Sequence, residues 1–146
     1  LTNDNLTADV IADGFHVAPS MIDLLIRAKT PQKVVLITDA MSAAGMPDGT
    51  YKIGLIDVEL KAGKCTVNGT LAGSALTLDR AVRNVMSFAK LDLQQAVQAA
   101  SANPAQVVGA KEKGMLQPGA DADFVVLTPA AEVRATVIKG EVVGDG

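Results

Sequence analysis

Two short apolar runs, each closed by an aspartate, constrain this chain more than any other feature. Val10-Ile11-Ala12 ends at Asp13-Gly14, and Val34 to Ile37 ends at Thr38-Asp39. A continuous apolar strand is buried on both faces, which is the pattern of a parallel sheet. Parallel strands need a crossover, and a helix signal lies between the two runs. Pro19-Ser20 opens a segment in which Met21, Leu24, Leu25 and Ala28 recur at helical spacing. The pattern predicts a strand–helix–strand unit and the α/β class.

The rest of the chain changes character twice. Met41 to Gly49 is rich in Ala, Gly and Pro and reads as a loop. Tyr51 to Val67 carries short alternating stretches around Ala62-Gly63-Lys64, which predicts a β-hairpin. Thr77 to Ala89 reads as a helix with Leu78, Ala81, Val82, Val85 and Met86 on one face. Leu91-Asp92 interrupts it, Leu93 to Ala100 is helical again, and Asn103-Pro104 caps a short helix through Val108. After Lys113 comes turn-rich sequence, then Phe124–Leu127, Val133–Ile138 and Glu141–Val143 as antiparallel strands, with Lys139-Gly140 as a tight turn. Two regions follow: residues 1–112, α/β with a hairpin insertion near 51–67, and residues 113–146, β-rich.

Composition excludes several classes. With 146 residues, 49% hydrophobic and 20% charged, the chain can bury a core. A net charge of −3 and 3% aromatics give neither the clustered cations nor the stacking platform of a nucleic-acid binder. No apolar run approaches the roughly 20 residues of a membrane span, and the polar opening residues carry no signal-peptide pattern. Cys65 is the one cysteine, so no internal disulfide is possible and the reading is cytoplasmic. A start at Leu1 reads as a piece cut from a longer protein, although a lost tag or a processed terminus would look the same.

Few residues could carry chemistry. Asp39 follows a buried strand at the end where barrel enzymes place catalytic groups; an Asp capping the next element is the competing reading. His16 is the single histidine. It reads as a donor to an anionic or hydroxylated ligand, or as a loop histidine satisfied by backbone. One His does not make a zinc site, which takes three or four protein ligands. Cys65 reads as a small buried apolar residue, and Met41, Met46 and Met86 as packing or loop residues. Gly69-Thr70-Leu71-Ala72-Gly73-Ser74 precedes a helix, where backbone can approach an anion. It is neither a P-loop nor a nucleophile elbow, and a plain loop with Ser74 or Thr77 as N-cap is the alternative.

Together these segments resemble the N-acetylglucosamine-6-phosphate deacetylases. Ala12-Asp13-Gly14-Phe15-His16-Val17 resembles their ADG-x-HV motif, and Leu36-Ile37-Thr38-Asp39-Ala40-Met41 their LVTDAM strand end. Gly69 to Asn84 resembles their GTLAGS-x-LTMD-x-AVRN segment. Asn103-Pro104-Ala105 with Gly109, and Gly114 to Leu127, match endings shared across amidohydrolases.

The resemblance implies the last two strands and helices of a (β/α)₈ TIM barrel over residues 1–112 and part of a small β-sandwich over 113–146. It implies Asp39 as the catalytic acid/base. Asp13, Gly14, Phe15 and His16 correspond to a substrate-binding turn, and Leu71, Ala72 and Gly73 to the loop over the sugar phosphate. The family holds a divalent metal, zinc or iron, through a Glu and two His from earlier strands. Those segments have no counterpart here, so no metal ligand is expected in this chain and the chain alone is expected to be inactive. The expected substrate is N-acetylglucosamine 6-phosphate, and the open edges imply a homo-oligomer or association with the rest of the enzyme. An amidohydrolase for another N-acylated substrate, or a non-catalytic structural or interaction module, are the alternatives.

Overall fold

The computed structural model describes Leu1 and residues 3–145. Strands β1 (Ala8–Ile11) and β2 (Val34–Ile37) run parallel, with Ala8 opposite Val34 and Ile11 opposite Ile37. Helix α1 (Pro19–Lys29) makes the crossover, with Pro19 in the first turn where its missing N–H costs nothing. A 3-10 turn, Pro31–Lys33, leads into β2. The chain then forms an antiparallel meander: β3 (Gly49–Ile53), β4 (Ile56–Lys61), β5 (Lys64–Val67) and β6 (Thr70–Leu71). Helices α2 (Leu78–Ala89), α3 (Leu93–Ala100) and α4 (Ala102–Val107) follow. A three-stranded antiparallel sheet closes the chain: β7 (Phe124–Leu127), β8 (Val133–Ile138) and β9 (Glu141–Asp145).

The main core lies between the parallel pair and the helices. Val10, Val34 and Leu36 of the strands meet Ile22 and Ile26 of α1, Ala81, Val82 and Val85 of α2, and Ala96 and Ala99 of α3. Alanines on α2 and α3 let those helices approach closely, and each buried Val or Ile contributes about 1.5–3 kcal/mol. A smaller cluster of Ala43, Val58, Leu60 and Cys65 fills the meander.

Three expectations differ from the structure. On α1 the buried face is Ile22, Ile26 and Lys29, whereas Met21 and Leu24 are 52% and 47% exposed. The helix is apolar on two sides, and the crossover decides which side meets α2 and the sheet. Lys29 sits in the core because its amine donates to the Leu6 carbonyl at 2.9 Å and to the Asn3 carbonyl, while its stem packs as a hydrocarbon. The hairpin read over 51–67 is part of a four-stranded meander from Gly49 to Leu71. Asn68 and Gly69 both have positive φ (49° and 80°), the two-residue turn that adds a further strand, so Thr70-Leu71 is β6 and not open loop. Asn103 does not cap α4. It lies inside the helix, 3% exposed, and donates to the Pro31 and Val34 carbonyls, 2.7 Å each.

The C-terminal sheet is docked on the helical part. Ala131, in the loop between β7 and β8, is buried in the main core. Arg83 donates to its carbonyl at 2.9 Å and to the Asp79 carboxylate at 2.6 Å. Gly114, at φ +77°, is pressed against α4: a Cβ there would lie 2.9 Å from both the Ala102 Cα and the Ser101 carbonyl oxygen. Phe124, Val125, Val126 and Val142 stay exposed on this sheet. Among the described residues this region contributes a single three-stranded layer. No helix is long and apolar enough to cross a membrane among the described residues.

Candidate functional site

The exits of the two parallel strands build the site. After β1, Asp13 folds the chain back on itself. Its Oδ1 accepts from the backbone N–H of Phe15 (2.8 Å) and of His16 (2.9 Å), and its Oδ2 lies 2.7 Å from His16 Nδ1. This is an Asx turn, in which a short carboxylate replaces a backbone acceptor. Gly14 takes φ +81° at its centre, a conformation L-residues resist. Burial works to raise the Asp13 pKa. It is outweighed by the hydrogen bonds from His16 and Phe15, which hold the carboxyl below the usual range. From α2, Asn84 Nδ2 donates to the Ala12 carbonyl at 2.7 Å and pins the start of the turn.

After β2, Asp39 is exposed and has φ 47°, in the left-handed region that Asp and Asn tolerate better than most residues. The Asp39 carbonyl accepts from the Ser74 N–H at 2.9 Å, and the Met41 N–H donates to the Ser74 carbonyl at 2.9 Å. Ser74, 1% exposed, donates its hydroxyl to the Thr38 carbonyl and accepts from the Leu76 N–H at 3.0 Å. Gly73 takes φ +66°, and a Cβ there would touch the Asp39 carbonyl oxygen and Met41 Cβ at 3.5 Å each. Gly73 and Ser74 are thereby zipped to the exit of β2. Leu71 pairs with Thr66 in the meander, and the Ala72 N–H donates to the Cys65 carbonyl at 3.1 Å. The Cys65 thiol is buried, and that burial pushes its pKa up.

Sequence reasoning left Arg80, Asn84 and Phe88 without a role. With Asp13, Phe15, Gly63, Ala75 and Leu76 they line a cavity of about 240 Å³ between the first turn, the meander and α2. An adjoining depression of about 570 Å³ shares Gly63, Ala75 and Arg80. Asp13 and Phe15 bring the first turn into the smaller hollow, whereas Asp39 and His16 line neither. Arg83 and Asn84 stand in the AVRN stretch of the sequence, and their hydrogen bonds are structural ties of α2 to its neighbours.

The family model for the amidohydrolase family matches residues 4–143. The chain belongs to that family. Among similar proteins, the N-acetylglucosamine-6-phosphate deacetylase of Bos taurus is 41% identical over 152 residues, covering 98% of this chain and 37% of the bovine protein. A putative N-acetylgalactosamine-6-phosphate deacetylase of Escherichia coli K12 is 38% identical over 143 residues, 97% of this chain and 85% of that protein. The crystal structure of N-acetylglucosamine-6-phosphate deacetylase from Thermotoga maritima superposes with a TM-score of 0.92 at 34% identity, over 99% of this chain and 40% of that one. This amidohydrolase chain therefore spans well under half the length of the bovine and Thermotoga proteins.

Amidohydrolases are generally metal-dependent. Among the described residues of this member, no group of three His, Cys, Asp or Glu is placed to hold a metal ion. The single ring of His16 has its Nδ1 committed to Asp13, and the Cys65 thiol is buried in the meander. The residues present do not fit a metal site by themselves. What this amidohydrolase segment offers is an exposed carboxylate, an oriented imidazole and a backbone-zipped loop.

Proposed function

We propose that this chain is the Asp39-bearing segment of a hydrolase that removes the acetyl group from N-acetylglucosamine 6-phosphate, releasing acetate and glucosamine 6-phosphate. The observation that carries the reading is that two aspartates, Asp13 and Asp39, leave adjacent parallel strands at the same end. The Ala72-Gly73-Ser74 loop is hydrogen-bonded to the second of these exits. A carboxylate at that position serves as acid and base in turn. Asp39 takes a proton from the attacking water as its oxygen bonds to the amide carbon. It delivers that proton to the nitrogen as the C–N bond breaks.

In this reading the two strands are the last two of a TIM barrel, and β7–β9 belong to a small sandwich. Asp13, Gly14, Phe15 and His16 form the turn facing the sugar phosphate, with Leu71, Ala72 and Gly73 opposite. A divalent metal, zinc or iron, would be held by residues outside this chain, and no step above runs through one held within it. The exposed apolar side chains of β7–β9 support association, as a homo-oligomer or with the rest of such an enzyme, in the cytoplasm. The similarity to the Escherichia coli protein, which this chain nearly spans, favours the galacto epimer as a second substrate.

The test is to join the chain to the region of its relatives that it does not cover and to measure acetate release from both N-acetylhexosamine 6-phosphates. A fall in turnover of about 10²–10⁴ on Asp39→Asn is expected. A folded, metal-loaded enzyme that releases acetate from neither sugar would overturn the proposal.

A further inference from the structure

Both oxygens of the Asp13 carboxylate are spent inside its own turn, on two backbone N–H groups and on His16 Nδ1. Its side chain is 6% exposed, against 21% for His16. We infer that Asp13 is a positioning residue: it fixes the His16 ring with the proton on Nδ1 and presents Nε2 as the atom that meets the sugar phosphate. The inference rests on the reading of this turn as substrate-binding.

The chemistry follows from the donor inventory. The hydrogen bonds that keep the Asp13 carboxyl below its ordinary range leave it ionised near neutral pH, and an ionised carboxylate only accepts. The nitrogen facing it at 2.7 Å must then carry a hydrogen. In the neutral ring, Nε2 is left with its lone pair, an acceptor for a sugar hydroxyl. In the charged ring, Nε2 carries the second hydrogen and donates to a phosphate oxygen. Either way the ring's ligand-facing atom is the same, and among the described residues Nε2 has no hydrogen-bond partner. The orienting carboxylate is itself held, because Asn84 anchors Ala12 and the Phe15 and His16 N–H groups close around Oδ1. A histidine set by a carboxylate on its far nitrogen is a recurrent way to fix tautomer and orientation.

The chain contains one histidine, so its tautomer can be read without assignment ambiguity. Long-range proton–nitrogen spectra of the 146-residue chain, at a pH where the ring is neutral, are expected to show Nε2 as the nitrogen bearing the lone pair. In Asp13→Asn the amide oxygen keeps both backbone N–H bonds while the amide nitrogen faces Nδ1 and donates, so the lone pair is expected to move to Nδ1. A mixture of tautomers in the unsubstituted chain overturns the inference, and that measurement needs no variant to fold. So does a tautomer that Asp13→Asn leaves unchanged. Kinetics in the joined enzyme separate this from the functional reading. His16→Ala and Asp13→Asn are each expected to lower kcat/KM by about 10- to 150-fold, as for a hydrogen bond to a charged group. The double variant is expected to be no worse than His16→Ala alone. Additive losses would give Asp13 its own substrate contact and defeat the inference. A normal His16→Ala enzyme with the Nδ1–H tautomer intact would instead sink the substrate role of the turn.

Discussion

Asn84 donates to the carbonyl of Ala12 at 2.7 Å across 72 residues of sequence. Asn103 does the same for Pro31 and Val34 from α4. The two side-chain amides donate to backbone carbonyls at or beside opposite ends of the parallel pair, and so the helices set where the strand ends stand.

Removing either amide takes a donor away from backbone carbonyls, although the Pro31 carbonyl keeps the Val34 N–H. Asn84→Ala and Asn103→Ala are each expected to cost about 1–3 kcal/mol, with Asn103→Ala the larger because two bonds are lost. Denaturant midpoints of the chain, compared at equal slope, check this. A loss within error of zero for Asn103→Ala would mean that water replaces it.

Asp39→Asn, in the enzyme joined as above, is expected to lower kcat by about 10²–10⁴, the range for a lost general acid/base. Stability should barely move, because Asn accepts the left-handed φ of 47° as readily as Asp and the Ser74 bond goes to the backbone. Turnover within a few-fold of the unsubstituted enzyme would make Asp39 a capping residue.

The chain alone is expected to release no acetate from N-acetylglucosamine 6-phosphate with any divalent metal. Its described residues contain no group of metal-ligating side chains, and Asp39 stands exposed without one. Metal-dependent release above an Asp39→Asn control would contradict this.

Acid should loosen the first turn. Asp13 has a folded pKa depressed below 3.8, so its contribution is fully present above about pH 4 and is lost as pH falls through the lower folded value. Melting temperature should therefore drop below pH 4, and Asp13→Asn should flatten that drop. An identical acid limb in the variant would place the linkage on other carboxylates, such as Asp79, whose pKa is also lowered: burial there is outweighed by hydrogen bonds from Thr77 and Arg83.

Gly114→Ala is expected to cost more than the 1–2 kcal/mol of a left-handed L-residue. Its new Cβ would sit 2.9 Å from backbone atoms of Ser101 and Ala102, which cannot swing aside. Gly119→Ala, also left-handed but with open space around it, is the control. Equal losses at the two positions would show that conformation, not crowding, decides.

The parallel pair was legible because four apolar residues in a row, Val34 to Ile37, admit few alternatives. The face of α2 was legible in its middle, where Ala81, Val82 and Val85 are buried, but not at its start, where Leu78 is 41% exposed because no element packs over the first turn on that side. On α1 the apolar residues fall on two sides, and which side is covered depends on a neighbour that periodicity does not contain. The Asn68-Gly69 pair did carry the signal for β6, but glycine-rich sequence before a helix also suits an anion loop, and the two readings compete. Asn84 and Asn103 were opaque as partners because their acceptors are backbone carbonyls 69 to 72 residues away, which have no sequence signature.

The zip between Ser74 and the exit of β2 uses only main-chain atoms of Asp39 and Met41. The exposed side chain at 40 can therefore vary without moving the carboxylate, whereas Met41 packs against the meander, and Gly73 and Ser74 are needed for their shape and their hydroxyl. The place of the Asp39 carboxylate is thus inherited through the backbone, from main-chain bonds to a loop more than thirty residues further along the chain.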